Sequence, residues 1–164
     1  MIVLGLDPGT RHFGWGVVRK NGTRLAHVAH GVFDVADEGE LGSRLVAIET
    51  ALMEVIERHR PDEASIESLF FAKDAQAAAK LGHARGVALL VCSRSGLRSF
   101  EYPPAQVKRT VAGTGRAEKA QVAQMIRVIL GLAALPKSDA ADALAIAVTH
   151  LQGRRLQGPT VNSP

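Results

Sequence analysis

A chain of 164 residues, 46% apolar and with a formal charge of +4, has the size and hydrophobic content of one domain with a full core. Its single cysteine, Cys92, excludes a disulfide framework within the chain, and no apolar run is long enough to span a bilayer. Residues 101–164 carry eight Lys and Arg against four Asp and Glu, a balance that suits either a polyanion such as nucleic acid or a merely solvated basic face. No basic-then-apolar leader is visible, so the expected location is the cytoplasm, with no membrane partner.

The opening "MIVLGLD" (1–7) reads as a short buried strand, broken at once by Pro8 and Gly9. "GWGVVRK" (14–20) and "TRLAHVAHGVFDV" (23–35) flank a turn at Asn21–Gly22, and Asn-Gly between apolar runs predicts a hairpin. From Glu40 to His59, Leu41, Leu45, Ile48, Leu52 and Val55 recur at spacings of three and four, an amphipathic helix that Pro61 ends. "EASIES" (63–68) reads as a buried strand around Ile66. Residues Ala72–Cys92 form a long alanine-rich helix with Gly82 and Gly86 on one face, which serves close approach of another backbone or plain core packing.

"LRSFEY" (97–102) is the last predicted strand. Pro103 and Pro104 start a short helix carrying "AQVKRTVAG", and "GTG" (113–115) makes a joint. Ala117–Leu130 is helical, with Val122, Met125, Ile126 and Ile129 on one face. Ser138–Leu151 is a final helix with a Ser or Asp cap. The tail lacks apolar periodicity, so the expectation is one domain over residues 1–153 and a disordered segment over 154–164. This order predicts an α/β fold. Its five-stranded mixed sheet has three antiparallel strands and two reached by helical crossovers.

Four carboxylates fall where the chain would favour apolar residues: Asp7, Glu67, Asp139 and Asp142. Each has a simple reading. Asp7 can shape the Pro-Gly turn, Glu67 can face solvent, Ser138 or Asp139 can cap the last helix, and Asp142 can be a favourable first-turn charge. A joint reading also exists. If the first and fourth strands are parallel neighbours, Asp7 and Glu67 lie side by side at the sheet end where open α/β sheets bind ligands. Asp139 and Asp142 share one helix face among alanines and complete a cluster there. Such a cluster repels itself unless a cation is present, and all-oxygen ligands suit Mg²⁺ or Mn²⁺. Two ions roughly 3.5–4 Å apart can clamp the attacking and leaving oxygens of a phosphoryl transfer.

"LGLDPGTRHFGWGVV", "ASIESLFFAKDAQAAAKLGHARG", "FEYPPAQVKRTVAGTGRAEKAQV" and "SDAADALAIAVTH" together resemble the RuvC family of bacterial Holliday-junction resolvases, within the RNase H-like nuclease superfamily. The resemblance runs from about residue 2 to 151, with the motifs in order. It implies a homodimeric, divalent-metal-dependent endonuclease that nicks four-way DNA junctions symmetrically and works with a branch-migration complex, RuvA and RuvB. It puts the catalytic, metal-binding acids at Asp7, Glu67, Asp139 and Asp142, with two Mg²⁺ or Mn²⁺ ions per site. It puts a base-contacting aromatic at Phe70, functional lysines at Lys108 and Lys119, and the dimer helix around Gly82 and Gly86.

The residues themselves are compatible with this. Lys108, Arg116 and Lys119 flank or follow the open backbone of "GTG", which suits phosphate contact or a hinge between helices. Phe70 and Phe71 allow one ring outward for base stacking and one inward. The six histidines show no zinc-ligand spacing and read as structural or surface residues. Two other classes of protein share parts of this pattern. "GLDPGT" also resembles the phosphate turn of actin-like ATPases and sugar kinases, but no second Asp-x-Gly-Thr turn follows. A binding module for branched DNA without chemistry would not need the complete acid set.

Overall fold

The computed structural model describes residues 1–68 and 75–153, with main chain alone at 75–78, 80 and 81. The expectations for Phe70 and for the 154–164 tail lie outside these residues. In chain order the elements are β1 (Ile2–Asp7), β2 (His12–Asn21), β3 (Arg24–Asp34), α1 (Leu41–His59), β4 (Glu63–Glu67), α2 (Ala75–Arg94), β5 (Arg98–Tyr102), α3 (Pro104–Ala112), α4 (Lys119–Leu130) and α5 (Ser138–Gly153). The sheet runs β3-β2-β1-β4-β5. Its first three strands are antiparallel, and β4 and β5 extend it in parallel through helical crossovers, as the sequence predicts.

Period-two alternation divides the core into two layers. Leu4, Leu6, Phe13, Val17 and Ile66 face Ile48 and Leu52 of α1 and Ala84, Ala88 and Val91 of α2. Val3, Val18 and Tyr102 face Leu144, Ile146 and Val148 of α5, which Val107, Val122 and Ile126 cover from α3 and α4. Every residue of α5 from Ala143 to Leu151 is buried, so a helix that is apolar but for Thr149 and His150 runs through the middle of that layer. Among the described residues no helix is long and apolar enough to cross a membrane.

Several local expectations shift. Asn21 continues the ladder by pairing with Arg24, so the hairpin turn is Gly22–Thr23. Gly22 has φ +58° and Thr23 does not have positive φ, the sign pattern of a type II′ turn, in which glycine comes first. The long helix runs on to Arg94, past Cys92, and Gly96 at φ +73° turns the chain out of it. In α4 the buried stripe is Val122, Ile126 and Leu130, whereas Met125 is exposed. Neither Ser138 nor Asp139 caps α5: the carbonyl of Lys137 accepts the first helical bond from Ala141 N–H at 2.9 Å, which makes Lys137 the cap residue.

Candidate active site

The alternation that builds the core also aims the carboxylates. On β1, Leu4 and Leu6 enter the α1/α2 layer, so Val3, Gly5 and Asp7 point toward α5. On β4, Ala64 and Ile66 enter the α1/α2 layer, so Glu63, Ser65 and Glu67 point toward α5 as well. Leu6 pairs with Ile66 in parallel register. One further step along both strands brings Asp7 and Glu67 side by side at the carboxyl end of the sheet.

Three glycines decide how near α5 comes. A Cβ on Gly5 would collide with the main chain of Ala143, one on Gly14 with the carbonyl of Asp139, and one on Gly16 would stand 2.6 Å from the Leu144 side chain. Gly5 pairs with Gly16 and Asp7 with Gly14 across β1 and β2, so the three form a smooth floor. Ala143 and Ala147, whose main chain lies over Gly5, supply the matching thin helix face. This close seating carries Asp139 and Asp142 to Asp7. Sequence reasoning missed the role of the three glycines. The signal was present in "GWG", where glycine at alternate strand positions marks close backbone approach.

The far half of α5 is fixed by a buried chain of hydrogen bonds. His150 Nε2 lies 2.7 Å from Glu63 Oε2, and its Nδ1 lies 2.7 Å from the Tyr102 hydroxyl. With Nε2 protonated, the imidazole donates to the carboxylate and accepts from the phenol. This ties α5 to β4 and β5, the strands beside the site, and makes His150 the structural histidine expected of it.

Asp7, Glu67, Lys108, Lys119 and Asp142 line one small cavity of about 100 Å³, walled by Pro104, Val107, Val122, Ala145 and Ile146. Burial lifts the Asp7 carboxyl to a pKa of about 7, helped by the negative charges of Asp142, Glu67 and Asp139 and opposed by Lys119. Glu67 is raised as well, by burial first and then by Asp142, against the pull of Lys119 and Lys108. Lys119 Nζ donates to Asp142 Oδ2 at 2.8 Å, and that bond and the neighbouring acids raise its pKa against the opposing effect of burial. The lysine side chain is 72% exposed, so the pair contributes about 0–1 kcal/mol and can be exchanged for another anion.

The structure gathers Asp7, Glu67 and Asp142 with Lys108 and Lys119 around one cavity. Asp139 acts on them through its charge but does not line the cavity. Arg116 is exposed on the α3–α4 connection, outside the cavity. Gly82 and Gly86 lie on α2, where an added Cβ would meet nothing. Phe70 falls outside the described residues. The donor set is all oxygen, partly buried and short of positive charge, which fits a hard divalent cation in composition and electrostatics. Among the described residues no three His, Cys, Asp or Glu side chains already converge at coordinating range. Asp142 is turned to Lys119 instead.

A mixed five-stranded sheet that ends in carboxylates, with a further acid-bearing helix laid across its central strands, defines an RNase H-like nuclease. The family model "Crossover junction endodeoxyribonuclease RuvC" matches residues 3–150. The chain belongs to that family. A relative from Sorangium cellulosum (strain So ce56), named crossover junction endodeoxyribonuclease RuvC, is 62% identical over 92% of this chain and 84% of its own length. The structure of T. thermophilus RuvC in complex with Holliday junction substrate superposes with TM-score 0.88 at 38% identity, covering 95% of this chain and 96% of that one. The yeast mitochondrial Holliday junction resolvase Ydc2 shares the fold, with TM-score 0.66 at 14% identity over 93% of this chain and 78% of that one.

Proposed function

We propose that this chain resolves four-way DNA junctions by paired, metal-dependent nicks, with residues 1–153 acting as one nuclease domain. The observation that carries the reading is the meeting of Asp7, Glu67 and Asp142, from β1, β4 and α5, in one cavity with Lys108 and Lys119. The T. thermophilus relative, solved with a Holliday junction, supports the same substrate here.

In this reading Asp7, Glu67, Asp142 and Asp139 hold two Mg²⁺ or Mn²⁺ ions. When bound, such ions supply Lewis-acid charge to the scissile phosphate and lower the pKa of a water. Asp7 must give up its proton to join them. Lys119 leaves Asp142 and takes a DNA phosphate, one exposed charge-assisted bond exchanged for another. Lys108 offsets negative charge beside Glu67. Arg116 contacts the backbone of a duplex arm, and Phe70 stacks on unpaired bases near the cut.

A four-way junction has two-fold symmetry, so a C2 dimer presents two equivalent sites to it. The half-buried Gly82 and the exposed Gly86 and Leu90 follow one another at intervals of four along α2, leaving an open seam for a partner helix. RuvA and RuvB are the proposed partners that deliver the junction, and the cytoplasm is the proposed location. The test is a labelled synthetic junction beside duplex controls, with and without Mg²⁺ or Mn²⁺. Symmetric, ligatable, metal-dependent nicks confined to the junction are expected. Junction binding without nicks in either metal would leave only a binding module.

A further inference from the structure

Arg85 is a charged residue of α2 that the proposed chemistry does not use, and its side chain is only 10% exposed. Its guanidinium bridges two strands. Nη1 donates to the main-chain carbonyl of Glu67 at 2.6 Å, and Nη2 meets Glu101 Oε1 at 2.5 Å. Glu67 is the last residue of β4, and the next amide, Ser68 N–H, makes the bond to Tyr102 of β5 at 2.9 Å. The arginine therefore grips the end of β4 at the peptide that carries the carboxylate.

Burying a guanidinium is costly unless its donors are met, and here both ends of the fork are occupied. The contact that Arg85 makes with Glu67 is to its main-chain carbonyl. Its influence runs through the main chain.

We propose that Arg85 is a positioning residue for Glu67: by holding the Glu67 carbonyl and Glu101 together, it sets the direction in which the Glu67 carboxylate leaves the strand. This rests on the reading of Glu67 as a metal-holding carboxylate. A consequence follows for assembly, because Gly82 and Gly86 of the proposed dimer seam stand on the same helix as Arg85. The helix that meets a second subunit also holds a catalytic strand end.

The test compares Arg85→Gln, Arg85→Lys and Glu67→Gln in the full chain. Arg85→Gln is expected to lower the nicking rate at saturating junction by roughly 10–100-fold and to raise the Mn²⁺ concentration for half-maximal rate. Junction affinity measured in EDTA is expected to stay within about twofold, since the arginine does not reach the cavity. Arg85→Lys keeps the charge but not the fork, so only partial recovery is expected. Nicking by Arg85→Gln at the wild-type rate with unchanged Mn²⁺ dependence would overturn the proposal. So would a loss matched wholly by weaker junction binding. Should Arg85→Gln fail to fold, Arg85→Lys is judged by the same criteria. Glu67→Gln separates the two ideas: full activity there sinks the role of Glu67 itself, whereas an inactive Glu67→Gln beside fully active Arg85 variants sinks only the role of Arg85.

Discussion

Asp7 concentrates the electrostatics of the site in one carboxyl group. Its pKa of about 7 lies above the ordinary 3.8, so the folded chain favours the protonated form. The linkage has a definite sign. A raised carboxyl pKa contributes stability that is fully present below about 3.8 and is lost as pH rises through about 7. Glu67 is shifted the same way and adds to the trend. The lowered His27, His30 and His59 act with the opposite sign over the same interval, so the expectation is set against Asp7→Asn: between pH 5 and pH 8 the melting temperature of the metal-free wild type is expected to change less favourably than that of Asp7→Asn, each kcal/mol being about 2–4 °C for a chain of this size. The same pH dependence in Asp7→Asn and wild type would contradict the assignment. Because a ligand carboxylate must lose its proton, Mn²⁺ affinity measured by calorimetry should increase through pH 7 with proton release. Asp7→Asn is expected to cost nicking more than the ~10–100-fold typical of residues that only support a metal ligand, while junction binding survives. Near wild-type cutting by this variant would remove Asp7 from the chemistry.

Among the elements, α5 makes the site possible. It carries two of the four acids, and its distance from β1 is set by what the sheet lacks. Gly5, Gly14 and Gly16 leave no side chain between strand and helix, so the helix main chain rests almost on the strands. Gly14→Ala is expected to push Asp139 outward and to destabilise the fold by about 1–3 kcal/mol, the usual cost of overpacking, with nicking reduced beyond the loss of folded protein. Gly42 in the first turn of α1 provides the contrast. A Cβ there meets nothing, and Gly42→Ala should stabilise the protein by about 0.5–1 kcal/mol with activity unchanged. Denaturant melts and nicking assays on both variants check the pair. Equal effects would show that close approach of α5 is not what the glycines provide. The cap of α5 teaches a smaller lesson. Ser138 and Asp139 are the residue types that usually cap, yet Lys137 holds that position, and Asp139 is left in the first helical turn near the cluster, where the helix dipole favours its charge.

At the scale of the molecule, the basic excess of the sequence lies in residues 101–164, and among the described residues of that stretch Lys119 and Arg116 are exposed, with Lys119 on the wall of the cavity. Junction binding should then rest on phosphate contacts, and its logarithm should fall linearly with the logarithm of salt concentration, by about 0.9 for each phosphate neutralised. Titration of a labelled junction at several salt concentrations tests this, and a flat response would exclude a phosphate-based interface. The open stripe of Gly82, Gly86 and Leu90 makes a second molecular prediction. Gly86→Arg is expected to give a monomer in sedimentation and to uncouple the two nicks on a junction that can trap a singly nicked product. A dimer with paired nicks would place the interface elsewhere.

Sequence alone determined what local rules govern. Alternation in "MIVLGLD" and "EASIES" and the three-and-four spacing after Glu40 made the strands, the helix and the fold class legible. The acids stood out because a charge at the end of a buried strand conflicts with its surroundings, and the motifs in series carried the family. Tertiary structure decided what depends on residues far apart in the chain. The β1–β4 register brought Asp7 to Glu67, and three bare glycines brought α5 to both. Burial in a cavity that no single segment encodes then raised the Asp7 pKa. It also decided which partner each charge takes. Asp142 faces Lys119 and Arg85 grips the Glu67 carbonyl, since such pairings follow from how helices seat on the sheet and not from spacing along the chain.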